Sequence, residues 1–256
     1  MEKQRLFHAK ELPEGWSEYP FTLTGYRVNL SCRSATWSVF NQRHNEFWMI
    51  WSDIFPAAVF TVLLALNTAS EQFKHRSLFF QFLVVGVFLA VIICRICSSL
   101  YHVYNCISLG MNKTMIKVDL IGICFMSLGS PWIFAVANKT ETGRDHWFLM
   151  YTALLLSSFI GCVLFTRQHF IIVLAAIGNY PALQIGMDQS FPTIWRLLSL
   201  LAVGGFLLGY SVFYVLRFPE CLLTLGSADG QIWNSHVIWH VIASLSQHCY
   251  VVTTFL

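Results

Sequence analysis

Of 256 residues, 56% are hydrophobic and only 11% are charged, whereas a water-soluble globular chain carries about 25% charged residues. Twenty-two Phe, nine Trp and nine Tyr give more apolar area than a water-facing surface of this size can carry, which excludes a soluble domain and leaves a multi-span membrane protein. The net charge of +3 comes from 16 dispersed Lys and Arg, so nucleic-acid binding has no electrostatic footprint.

Within residues 1–48, Met1 to Glu18 is polar and charged, with no apolar core of the kind a cleavable signal needs. Residues 1–48 read as a cytosolic N-terminal segment ahead of a membrane region, residues 49–256. Their aromatics Trp16, Tyr19, Phe21 and Trp37 fit a protein-partner or interfacial surface and equally fit plain anchoring among lipid headgroups. Seven apolar stretches follow, near 49–66, 78–101, 116–137, 147–166, 169–187, 194–218 and 233–256. Each approaches the ~20 residues that a helix needs to cross ~30 Å of hydrocarbon. The expected fold is therefore an all-α bundle of seven membrane helices. Only Arg167 and Gln168 separate the fourth stretch from the fifth, and the fifth carries Gly178, Pro181 and Gly186, which membrane helices tolerate when neighbours re-satisfy the backbone. Positive charge close to the spans is nearly even on the two sides. The more distal Lys3, Arg5, Lys10 and Arg27 tilt the balance toward a cytosolic N-terminus, with the C-terminus lumenal or extracellular. Cys94, Cys97, Cys124, Cys162 and Cys249 fall inside apolar stretches, where free Cys behaves as a small hydrophobe.

Ionisable side chains inside hydrocarbon are costly and mark candidate sites; here they include Asp53, Arg95, His102, Asp119, His236, His240 and His248, with Ser98 beside them. Because bundle helices alternate in direction, the start of the first span, the end of the second and the starts of the third and seventh share one side. Asp53, His102, Asp119 and the pair His236/His240 occupy those four ends. His236 and His240 are four residues apart, one above the other on a helical face, and Ser98 and His102 repeat that relation. A third imidazole from a facing helix would complete a three-His zinc site with one open position, the pattern of catalytic zinc. Asp119 then reads as the carboxylate that holds or deprotonates water rather than as a ligand. Other readings stay open: interfacial histidines, a Ser98 hydroxyl bonded to the carbonyl of residue 94, and an Asp119 that merely complements a helix dipole. His248 lies about 12 Å deeper than His240 at 1.5 Å per residue and reads as a packed polar residue. Asp53 and Arg95 are expected to form an ion pair between the first two spans, since an unpaired Arg at that depth costs a few kcal/mol. Separate snorkelling to water and an Arg95 that meets a fatty-acid carboxylate are the alternatives.

The tracts Phe21-Thr-Leu-Thr-Gly25-Tyr26-Arg27, Ser38-Val-Phe, His44-Asn45-Glu46 leading into Ile50-Trp51-Ser52, Ser98-x-x-x-His102, Asp119-Leu-Ile-Gly122, Arg217-Phe-Pro219-Glu220 and Ser235-His236-x-x-Trp239-His240 resemble, in order, the progestin and adipoQ receptor (adiponectin receptor or hemolysin III-like) family. Among its types they look most like the Golgi-associated member four. The resemblance implies a seven-helix bundle with a cytosolic N-terminus and zinc held by His102, His236 and His240. It also puts Asp119 and Ser98 in the water-holding and neighbouring hydroxyl positions. Adiponectin-receptor relatives further imply hydrolysis of ceramide to sphingoid base and fatty acid. Two departures stand out. Met49-Ile50-Trp51-Ser52-Asp53 replaces the usual Asn-Ile-Trp-Thr/Ser-His, and Leu225-Gly-Ser-Ala-Asp229-Gly-Gln replaces a tighter aromatic-Asp turn.

Two functional classes fit these residues. One is a zinc amidohydrolase acting on ceramide or a related lipid amide, in the Golgi or plasma membrane. The other is a non-catalytic receptor or Golgi scaffold with structural zinc. Asp119 favours the first, because a structural site has no use for a general base.

Overall fold

In the computed structural model the described residues are 4–16, 21–137, 180–223 and 234–252, with the isolated positions Ala153, Leu156 and Ile160. The polar N-terminal segment folds back on itself through an antiparallel bridge between Phe7 and Tyr26. It then enters α1 (Cys32–Asn41), whose first turn is capped by Ser31, the hydroxyl accepting the Ser34 N–H at 3.1 Å. The long helix α2 (Phe47–Ala69) follows, and Ser70 caps the short α3 (Glu71–Lys74). Ser77 caps α4 (Leu78–Tyr104), and α5 is Leu109–Ala137. After the undescribed stretch come α6 (Tyr180–Met187) and α7 (Thr193–Leu208), the latter continuing into a π-helical turn at Gly209–Val215. A short α8 (Glu220–Leu223) precedes α9 (Ser235–Val252).

The burial pattern is inverted relative to a soluble protein. Large apolar side chains point outward, among them Leu78 at 83% exposure and Phe55 at 69%. Buried inside are Asp53, Arg95, Ser98, Ser99, His102, His240, Ser244 and Gln247. In water such an apolar exterior would be an aggregation surface; in lipid it is solvated, and polar groups must find partners within the protein. Below the polar level, Phe60 of α2, Leu83, Val87 and Phe88 of α4, Ala202 of α7 and Val251 of α9 close an apolar core. Among the described residues, three helical stretches are long and apolar enough to cross a membrane: Phe47–Ala69, Leu78–Tyr104 and Thr193–Leu222.

The first three expected spans coincide with α2, α4 and α5. The fourth, 147–166, and most of the fifth, 169–187, lie outside the described residues, with α6 covering the end of the fifth. The sixth differs from expectation: an unbroken α-helix to residue 218 is replaced by the π-helical turn. The turn begins where the chain packs against α9. A side chain on Gly209 would meet the Trp239 ring and Ile242 at 2.9 Å, so bare backbone is needed where the two helices touch. A second close approach joins α4 and α5, where a Cβ on Gly122 would lie 2.8 Å from the Cys97 Cβ and 3.1 Å from Cys94 main-chain atoms.

Candidate metal centre

His102 lies in the last turn of α4, while His236 and His240 occupy the first turns of α9, so antiparallel packing brings them to one level. The ring centroids of His102 lie 5.5 Å from His236 and 5.0 Å from His240, and those of His236 and His240 are 4.7 Å apart. One nitrogen from each ring falls within a 4.8 Å set. Nitrogens bonded at ~2.1 Å to one tetrahedral zinc sit roughly 3.4 Å apart, so a modest closing of the three rings suffices. His236 Nε2 and His240 Nε2 are already 3.2 Å apart.

The opposite edges of two of these rings meet carboxylates. His102 Nδ1 is 2.7 Å from Glu46 Oε2, which fixes the ring so that Nε2 faces the cluster. That Nε2 is buried and has no hydrogen-bond partner among the described residues. An orphaned imidazole nitrogen costs free energy, and a metal ion removes that cost, so the residues fit the group. Glu46 is itself tied down, because Asn105 Nδ2 donates to its Oε1 at 2.7 Å. Burial pushes the Glu46 carboxyl up, but the neighbouring His102, then Arg27, outweigh it and hold the group below its usual range. His240 Nδ1 is 3.1 Å from Asp53 Oδ2. Asp53 Oδ1 accepts from Arg95 Nη1 at 2.9 Å, so Asp53 and Arg95 are an ion pair with almost no solvent exposure.

Asp119 of α5 is not among the three convergent groups. It stands within electrostatic reach of His102 and His240, with the Ser98 side chain as its hydrogen-bonding neighbour. The close α4–α5 approach at Gly122 lies one turn further along α5. His248 lies apart from the cluster: its Nδ1 faces the Ser244 carbonyl at 2.9 Å and its ring packs 4.3 Å from that of Phe60.

Several supporting residues carry no role in the sequence reading. Arg27 is buried; its Nη2 donates to the His102 carbonyl at 2.7 Å and its Nη1 to Ser38 Oγ at 2.8 Å. The N-terminal segment is thereby pinned to the turn that carries a site histidine. His44, also buried, accepts the Glu46 N–H through Nδ1 at 3.2 Å. Burial, reinforced by the Arg27 charge, lowers its pKa to about 2. At the start of α9, both Glu220 oxygens accept the Ser235 N–H, at 2.7 and 2.8 Å, and Asn234 Oδ1 accepts the His236 N–H at 2.8 Å. These acceptors fix the turn that carries His236. Glu46 and Glu220 each stand in a tract quoted above, and their signal was a carboxylate placed just before a helix that carries polar residues.

The haemolysin-III related family matches residues 41–251, from the end of α1 to the end of α9. The chain belongs to this family. It is similar to heptahelical transmembrane protein 1 of Arabidopsis thaliana, 28% identical over 96% of this chain and 79% of that protein. It is also similar to ADIPOR-like receptor IZH2 of Saccharomyces cerevisiae, at 25% identity over 97% of this chain and 82% of that one. Progestin and adipoQ receptor family member 3 of Homo sapiens is 24% identical over 93% of this chain and 81% of that protein. The motif resemblance therefore holds, and the chain is a helical membrane protein of a receptor family.

Proposed function

We propose that this chain is a seven-span membrane protein in which His102, His236 and His240 hold one zinc ion. It hydrolyses ceramide or a related lipid amide to a sphingoid base and a fatty acid. The observation that supports this reading best is the division of labour in the site. Three imidazoles converge within 4.8 Å, while a carboxylate, Asp119, stands beside them without joining them. Zinc bound there supplies Lewis-acid polarisation of the amide carbonyl and a water acidified toward neutral pH. Asp119 takes the proton from the attacking water and returns it to the amide nitrogen as the C–N bond breaks. Ser98, beside Asp119, directs that carboxylate. The substrate enters laterally from lipid, and water enters from the cytosolic side that holds the N-terminus; the C-terminus is then lumenal or extracellular, in the Golgi or plasma membrane. The heptahelical name of the plant relative supports the seven-span count. The receptor names of the yeast and human relatives support a second reading, in which zinc is structural and ligand binding shifts helix positions.

The test is mass-spectrometric product analysis of purified protein with ceramide, wild type against Asp119→Asn, with zinc measured in both. Hydrolysis should fall by at least ~100-fold, the scale of a missing general base, while zinc stays. Equal turnover, or a zinc-loaded wild type with none, favours the receptor reading.

A further inference from the structure

Asp53 is fully buried and faces two partners at once. Its Oδ1 accepts from Arg95 Nη1 at 2.9 Å, and its Oδ2 lies 3.1 Å from His240 Nδ1. Arg95 is anchored in turn: its Nε donates to Gln247 Oε1 at 2.7 Å, and its Nη1 also approaches the His240 carbonyl at 3.4 Å. Three helices, α2, α4 and α9, are thus tied together at the turn that carries His240. The Asp53–His240 contact is short but angled, and neither Oδ2 nor Nδ1 has a hydrogen-bond partner elsewhere among the described residues. Among the described residues, each is therefore the group placed to satisfy the other. An imidazole that donates its Nδ1–H to a carboxylate keeps the Nε2 lone pair for a metal, and His240 Nε2 is the nitrogen turned toward His236. Glu46 makes the equivalent contact to His102 at 2.7 Å.

We propose that Asp53 is a positioning residue for the metal centre: braced by Arg95, it sets the tautomer and ring orientation of His240. A bare ion pair between α2 and α4 needs no contact to His240, whereas this carboxylate turns its second oxygen to that ring. This inference rests on the zinc reading above.

The experiment measures zinc affinity by chelator competition, and thermal stabilisation by added zinc, for purified protein in detergent. The variants are Asp53→Asn, the double variant Asp53→Leu/Arg95→Met, and His240→Ala. The double variant removes both charges together and leaves no uncompensated ion to prevent folding. If Asp53 positions His240, the double variant binds zinc about 10–100-fold more weakly, the usual effect of losing such a partner, and Asp53→Asn falls between it and wild type. If Asp53 serves only to neutralise Arg95, the double variant binds zinc within about threefold of wild type, which overturns the proposal. Wild-type affinity in His240→Ala, or a wild type that binds no zinc, instead overturns the metal site itself and the positioning role with it.

Discussion

Replacing Gly122 by Ala tests whether the packing of α5 on α4 places Asp119. The added methyl would lie 2.8 Å from the Cys97 Cβ and 3.1 Å from both the Cα and the carbonyl oxygen of Cys94. These are main-chain or Cβ atoms, so no flexible side-chain end can swing aside. Carbon atoms pack at about 3.5–4.0 Å, so α5 must retreat by about 1 Å. Asp119 lies three residues earlier on the same face of α5 and moves with it, away from Ser98 and the histidines. Overpacking of this kind costs about 1–3 kcal/mol. A misplacement of ~1 Å at a reacting group costs ~100-fold in rate. The three candidate metal-binding histidines sit on α4 and α9, so metal content should remain near wild type. Thermal melts, zinc analysis and ceramide turnover on one preparation read all three effects. A Gly122→Ala protein with wild-type stability and turnover would show that this contact does not govern Asp119.

Three further outcomes follow from the supporting residues. Glu46→Ala removes the 2.7 Å partner of His102 Nδ1 and should weaken zinc binding by about 10–100-fold; unchanged affinity in a chelator titration would contradict a positioning role. Glu220→Ala leaves the buried Ser235 N–H without the two oxygens that accept it at 2.7 and 2.8 Å. It should cost about 1–3 kcal/mol, seen as a lower melting temperature, and a wild-type melt would refute it. His44 has a pKa of about 2 in the fold against 6.5 when unfolded, so its contribution is complete above pH 6.5. As pH falls, only the unfolded state takes the proton, and stability drops by about 1.4 kcal/mol per pH unit. His44→Gln should therefore show a shallower acid decline than wild type between pH 6.5 and 4.5, and parallel curves would count against a buried neutral His44.

Helix periodicity and alternating direction were enough to bring His102, Asp119, His236 and His240 to one end of the bundle, because both follow from hydrocarbon thickness and chain order. The Asp53–Arg95 contact was accessible by the same logic, since a buried Arg needs a counter-charge. What periodicity lacks is the azimuth of one helix relative to another. For that reason the second partner of Asp53, His240, was not legible, although both residues had been placed at the same depth. Glu46 sits one residue before α2 and entered the sequence reading only within the His44-Asn45-Glu46 tract, yet the fold turns it inward onto His102. Arg27 entered through topology and a quoted tract, with no site role, whereas it is buried against the His102 carbonyl. Such long-range contacts depend on how the N-terminal segment folds over the bundle, which leaves no periodic trace. The close approach of the Trp239 ring to Gly209, at the start of the π-helical turn, was likewise invisible, because it comes from a different helix.

Zinc per chain, measured by plasma mass spectrometry on purified protein, tests the central assignment most directly. Wild type should carry about one zinc, the stoichiometry of a single three-His site, and a folded His102→Ala/His236→Ala/His240→Ala variant should carry essentially none. Equal zinc in the two proteins, or a metal-free wild type that retains its fold, would contradict it.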